Sequence, residues 1–395
     1  MTISVEKLIS YTFYVALFLF AASACYIMYG QESYNGGAHT TIITFATLVS
    51  WIALIFLRFS LKGLVINWPS KIILLYSIYG MWAIIITTLS GIENPKEKEL
   101  LLNVMTMTLP LVVMNAVYYY ILHYGNSRFL HWSFVAISGM FLVTYISIFD
   151  ISNLLDNIHL GSSYYMLFLL PLVLTHPSKA IKIACIVITA LAVFSSIKRA
   201  GIMSVVLSVF TFIIIGQVVA NHSKKRNFIV GVIFLSLFVG ALIIVTAIDD
   251  LNIIERFENI GKDNGSGRAV VWNEAWRLIN NQDVSSYIIG NGYNEVLKHS
   301  RFNLSAHDDY LEAWYDFGLI GLILYVSAVG SLIVFCFKTI REKYVYAPQV
   351  SMLTVIVIIQ SLLSHIAIYF WMSVVVMNIG FFAAHYDRTQ QRSPN

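Results

Sequence analysis

Apolar runs close to the roughly 20 residues that cross a bilayer as a helix recur along this chain, and they constrain its fold more than any motif does. Twelve such stretches can be read, at about 8–29, 40–58, 72–91, 100–122, 132–149, 163–176, 180–196, 201–220, 227–247, 310–337, 348–365 and 367–385. The sixth is short and contains Pro171, and the last two are parted only by "SHIAIY", which implies a tight turn or a re-entrant bend. Charged residues make up only 12% of the 395, against about 25% in soluble domains, and mean hydropathy is +0.74. The expected fold class is an all-α polytopic integral membrane protein with about 12 transmembrane helices and one large outer loop containing short helices. The first run lacks a small-residue cleavage pattern and reads as a span, not a signal peptide. Cys25, Cys185 and Cys336 fall inside apolar runs without metal-ligand spacing and read as small core residues.

Basic residues give the direction of threading. With the N-terminus inside, fifteen Lys and Arg fall on inner segments, among them Arg58, Lys62, Arg128, Lys224, Lys225, Arg226, Lys338 and Arg341. Four (Lys96, Lys98, Lys198 and Arg199) fall on short outer loops. The other six of the 25 lie in one long loop, where the positive-inside rule has little force. Both termini are therefore expected on the cytoplasmic side. The chain divides into 1–247 with nine spans, a polar outer loop at 248–309, and 310–395 with three spans and a cytoplasmic tail.

The chemistry-bearing residues gather on the outer side. In the loop, "GSGRAVVWNEAWRLINNQ" predicts a helix with Ser266 as N-cap and Ala269, Trp272, Trp276 and Ile279 along one face. Gly290-Asn291-Gly292 permits a tight turn or a close backbone approach. "SSIKRAG" interrupts two apolar runs with Lys198 and Arg199. These could be snorkelling span-end cations or functional charges held at membrane depth. Arg268 could be a solvated helix-start residue or a partner of Glu258 or Asp263. In "SAHDDYLEAWYDFGLIG", His307 could be a hydrogen-bonded interface residue. Asp308, Asp309 and Glu312 could be solvated acids at a helix N-terminus or cation ligands, although three acids without fixed spacing do not specify a metal site. Arg199, Arg268 and His307 share the outer side. Two guanidiniums suit phosphate oxygens, and an imidazole can move a proton near neutral pH. Walker and dinucleotide-binding fingerprints are absent, so neither ATP nor NAD is expected.

The succession "SSIKRAG", "GSGRAVVW…GNGY" and "AHDDYLEAWYDFGLIG" ahead of a span resembles the O-antigen polymerase (Wzy-type) and O-antigen ligase superfamily of bacterial inner-membrane glycosyltransferases. The motifs occupy about 190–325. The resemblance implies glycan transfer from an undecaprenyl-diphosphate-linked oligosaccharide to an acceptor hydroxyl in the periplasm, without metal, cofactor or nucleotide sugar. It assigns Arg199, Arg268 and His307 as catalytic. Lys198, Tyr293, Arg301, Asp308, Asp309 and Glu312, on the same outer side, are candidate substrate-binding residues on their chemistry and position. Asp308 stands where the family usually has Asn. Implied partners are the lipid-linked donor, the bilayer, and a chain-length regulator and flippase of the same pathway, with no nucleic acid. The motif forms look more like the polymerase branch than the ligase branch. A transporter or flippase is the reading from another class, but it would be expected to show paired repeats and broken helices.

Overall fold

The computed structural model describes residues 5–29, 38–62, 70–93, 97–149, 163–196, 198–220, 268–366 and 372–392. Every regular element among them is helical. The first eight helices are α1 (Val5–Tyr29), α2 (Ala38–Lys62), α3 (Lys71–Glu93), α4 (Glu97–Tyr124), α5 (Arg128–Ile148), α6 (Ser163–Val173), α7 (Lys179–Ser195) and α8 (Arg199–Val219). After residues 221–267, three short helices follow: α9 (Arg268–Asn280), α10 (Val284–Ile289) and α11 (Glu295–His299). The chain closes with α12 (Asp309–Arg341), α13 (Ala347–Leu363) and α14 (Met372–Arg392).

Ten of the twelve apolar stretches coincide with these helices to within a few residues, and the last, 367–385, overlaps α14, which runs from 372 to 392. The ninth, 227–247, lies outside the described residues, as do Ser266 and the opening of the long loop. Among the described residues six helices are long and apolar enough to cross a membrane: α1, α3, α4, α5, α8 and α12. The chain is thus a multi-pass membrane protein. Segments within α2, α6 and α13 are apolar but shorter. Helix α6 has no exposed face: every residue from Ser163 to Val173 is buried, as suits a helix that is hydrophobic all round. Around it lie α5, α7, α13 and α14, while α14 packs along α4 and α13 along α8.

Polar contacts tie the two ends of the bundle differently. At one end, Asn126 donates to the Tyr346 hydroxyl at 2.9 Å and Gln349 donates to the Leu174 carbonyl at 2.9 Å. There Arg388 also donates to the Ile121 carbonyl at 3.1 Å. At the other end, α9 to α11 form a cap on the first turns of α12. The cap has its own small core of Ala275, Leu278, Ile279, Val296, Ala306 and Tyr315.

The buried face of α9 differs from the one expected. Val271, Glu274, Ala275, Leu278 and Ile279 are buried, whereas Trp276 is 42% exposed. Of the predicted stripe only Ile279 belongs to that core. The reason is Glu274. Arg277 donates to both of its carboxylate oxygens, at 2.8 and 2.6 Å, and the Arg301 backbone N–H donates to it at 3.1 Å. The Arg277 bonds, foremost, hold the carboxyl down at about 2. A carboxylate so satisfied can be buried at low cost, which turns the helix away from the face that hydrophobicity alone selects.

Candidate active site

The cap and α12 meet through a break in the helix. At Gly318 the backbone takes φ 73° and ψ −178° within an otherwise continuous apolar run. Three carbonyls just before the break accept hydrogen bonds from donors outside the helix. The Tyr315 carbonyl accepts from the Asn291 side chain at 2.9 Å and from Gln282 at 3.3 Å. The Asp316 carbonyl accepts from the backbone N–H groups of Asn291 and Gly292 at 2.9 and 2.8 Å. The Phe317 carbonyl accepts from the Trp82 indole at 2.9 Å. A Cβ on Gly318 would stand 2.3 Å from the Ile288 carbonyl oxygen, and one on Gly290 2.4 Å from that of Asp316. The glycine-rich turn is therefore a close backbone approach, one of the two uses its glycines allow. The Asp316 carboxylate completes the joint by accepting from Asn294 and Val296 at 2.9 and 3.0 Å.

This joint sets the height of His307, just before α12. Its backbone is left-handed, with φ 54°, an uncommon state for a residue with a side chain. Its N–H donates to Glu312 Oε1 at 3.2 Å. Asp308 is the N-cap of α12, its Oδ1 accepting from Tyr310 and Leu311 at 3.0 Å each. An Asn oxygen serves that purpose equally well, so the Asp at this position keeps the cap. Asp309 is fully buried and accepts from the Tyr325 hydroxyl at 2.7 Å and from the Ile366 N–H at 2.9 and 3.1 Å. Glu312 is 1% exposed. The acids at the head of α12 thus brace the loop that carries His307.

Two further elements converge there. The Lys198 ammonium, at the N-cap of α8, lies over the Tyr164 ring at 5.3 Å from its centroid. Gln360 of α13 donates to the Ala200 carbonyl at 3.2 Å and to Ser204 at 2.8 Å. Arg268, at the start of α9, is close enough for its charge to act on Tyr164, His307 and His365. Lys198 acts on both imidazoles as well. Burial first, then His365 and these two cations, hold the His307 imidazole down at about 3. Lys198 is itself held down to about 8 by burial.

The structure thus brings Lys198, Arg268, His307, Asp308, Asp309 and Glu312 to one end of the bundle. Arg199 opens α8 at the same place, and its side chain lies outside those described. Tyr293 is half-buried against the main core, where burial pushes its phenol up. Arg301 is 68% exposed, with its Nε 4.0 Å from Glu274 on the cap. His365, in the turn after α13, is a residue that sequence reasoning missed. Its ring stacks on His307 with centroids 4.6 Å apart. "SHIAIY" showed a histidine at a span end, but nothing local tied it to a residue so far back in the chain.

Residues 184–326 match the Wzy_C family model, described as O-antigen ligase. The superfamily resemblance read from the motifs therefore holds over the segment that carries Lys198, Arg199, Arg268 and His307. Comparison with curated proteins gives no match.

Proposed function

We propose that this protein is an O-antigen or related polysaccharide polymerase. It would join undecaprenyl-diphosphate-linked repeat units on the outer face of a bacterial inner membrane. The observation that supports this best is the gathering of Arg268 and Lys198 around a neutral His307 at one end of a membrane bundle. Arg199 and Arg268 bind the diphosphate of the donor, with Lys198 adding charge, and stabilise the negative charge that builds on it as the anomeric C–O bond breaks. His307 takes the proton of the acceptor hydroxyl as that oxygen bonds to the anomeric carbon. Attack opposite the leaving diphosphate inverts that carbon. The incoming diphosphate also counters the two cations that depress His307, so donor binding raises the basicity of the imidazole when it is needed.

A second reading has an observation of its own. The matching family model carries the ligase description, and a ligase would pass the finished glycan to lipid A-core using the same donor chemistry. Purified enzyme incubated with lipid-linked repeat units alone separates the two. Longer lipid-linked products, seen as a ladder on a gel, support polymerase. Glycan transfer that requires added lipid A-core, with no ladder in its absence, overturns it in favour of ligase.

A further inference from the structure

We infer that His365 is a positioning residue for His307: its ring is the surface against which the His307 imidazole is set. The inference rests on the reading of His307 as the proton acceptor. Among the described residues no side-chain hydrogen bond holds the His307 ring. Its backbone is pinned by Glu312, but a backbone bond leaves side-chain rotation free. The His365 ring lies nearly parallel to it, 22° between planes, and is 7% exposed. Stacking at this separation removes one face of the imidazole from water and narrows its range of rotation.

His365 is fixed in turn. Its Nδ1 is 3.3 Å from the Ser305 hydroxyl and 3.8 Å from Glu312 Oε1. The next residue, Ile366, donates its N–H to Asp309. The turn after α13 and the loop before α12 are thereby clamped by the same short acidic stretch. Glu312 is common to both histidines, through the His307 N–H and the His365 ring.

The groups that face the pair are Lys198 from α8, Arg268 from α9, Ser305 and Asp308 from the loop, and Asp309 and Glu312 from α12. With two cations among them, a protonated His365 would repel a protonated His307. A neutral, stacked His365 supplies orientation without that penalty. Proton transfer then depends on the angle at which His307 Nδ1 or Nε2 meets the acceptor hydroxyl, and an orienting wall acts on kcat more than on donor binding.

The test uses the purified full-length enzyme with lipid-linked repeat units, comparing His365→Ala, which removes the wall, with His365→Phe, which keeps a flat ring. His365→Ala is expected to lower kcat about tenfold to a hundredfold, the scale of a small misplacement of a reacting group. Donor KM should stay within about threefold, and the acid limb of the kcat profile should rise toward the free-imidazole value as water reaches His307. His365→Phe should recover most of kcat. A wild-type kcat and pH profile in His365→Ala would overturn the inference. So would a change in KM alone, or a Phe variant no better than Ala while both elute from size exclusion as the wild type does. His307→Ala tells the two claims apart. If that variant is active, the base assignment fails. If it is inactive while His365→Ala is unchanged, only the positioning role fails.

Discussion

At the scale of single residues, the proposed mechanism separates groups that would touch substrate from groups that hold them. His307→Ala is expected to insert and fold, because its backbone bond to Glu312 survives, yet to lose about 10²–10⁴-fold in transfer rate. His299→Ala should retain most activity, since that ring is 55% exposed, hydrogen-bonds locally to Glu295 and meets Tyr315 edge-on at 6.1 Å. Product length on a gel reads both. The pH dependence has a definite sign. An imidazole ordinarily titrates near 6.5, and burial beside cations holds His307 at about 3. The free enzyme therefore keeps a neutral base throughout the neutral range. The acid limb of kcat/KM should fall well below pH 6.5 and not at it. The same depression means the unfolded chain binds the proton more readily, so stability present above pH 6.5 is lost progressively as pH falls toward 3. Arg268→Lys should cost about ten- to a hundredfold in kcat/KM despite keeping the charge, because the guanidinium fork is lost. Activity equal to wild type would return Arg268 to a solvated helix start. The cations and His307 were legible in the sequence because charge is conspicuous beside apolar runs. His365 was not, because its proposed role comes from a tertiary contact between the loop before α12 and the turn after α13.

At the scale of elements, the break at Gly318 does what no continuous helix could. It offers three carbonyls to the cap and to Trp82. Nothing in the apolar run "FGLIGLILYV" announces it, because an apolar span reads the same straight or kinked. The facing "GNG" turn was legible as a close approach, but its partner was not. The buried face of α9 was hidden for a related reason: a paired Glu274 displaced a tryptophan, and side-chain pairing outranked apolar periodicity. Gly318→Ala is expected to be severe. A φ of 73° with ψ −178° is a region almost reserved to glycine and costs an alanine on the order of 1–3 kcal/mol, and the new Cβ would meet the Ile288 carbonyl at 2.3 Å. Gly330→Ala, later in the same helix, has open space around it and should be neutral or slightly stabilising, since glycine inside a helix costs about 0.5–1 kcal/mol. Thermal melting in detergent should rank Gly318→Ala well below wild type and Gly330→Ala at or above it. Equal melting of the two would mean that the cap does not depend on the break.

At the scale of the whole molecule, the two ends of the bundle carry different charge, and the proposed chemistry requires that they face different compartments. Arg128, Lys179, Lys338, Arg341 and Arg388 stand at helix ends opposite the cap, where Asn126 meets Tyr346 and Arg388 meets Ile121. Lys198, Arg268 and His307 stand at the capped end. The positive-inside rule acts on short loops near span ends, so we propose that the end with Arg128 and Arg341 faces the cytoplasm and the cap the periplasm. A lipid-linked glycan already carried across the membrane is within reach of His307 only in that orientation. Replacing Cys25, Cys185 and Cys336 by Ser gives a background for labelling. Single cysteines at Asn280, exposed on α9, and at Gln391, exposed at the end of α14, then probe the two ends. A membrane-impermeant thiol reagent added to intact cells is expected to modify Asn280→Cys once the outer membrane is permeabilised. Gln391→Cys should react only after the inner membrane is opened as well. If Gln391→Cys labels first and Asn280→Cys is protected, the cap faces the cytoplasm. Lys198, Arg268 and His307 would then meet soluble cytoplasmic substrates, and transfer between lipid-linked units at the outer face would be ruled out for this site.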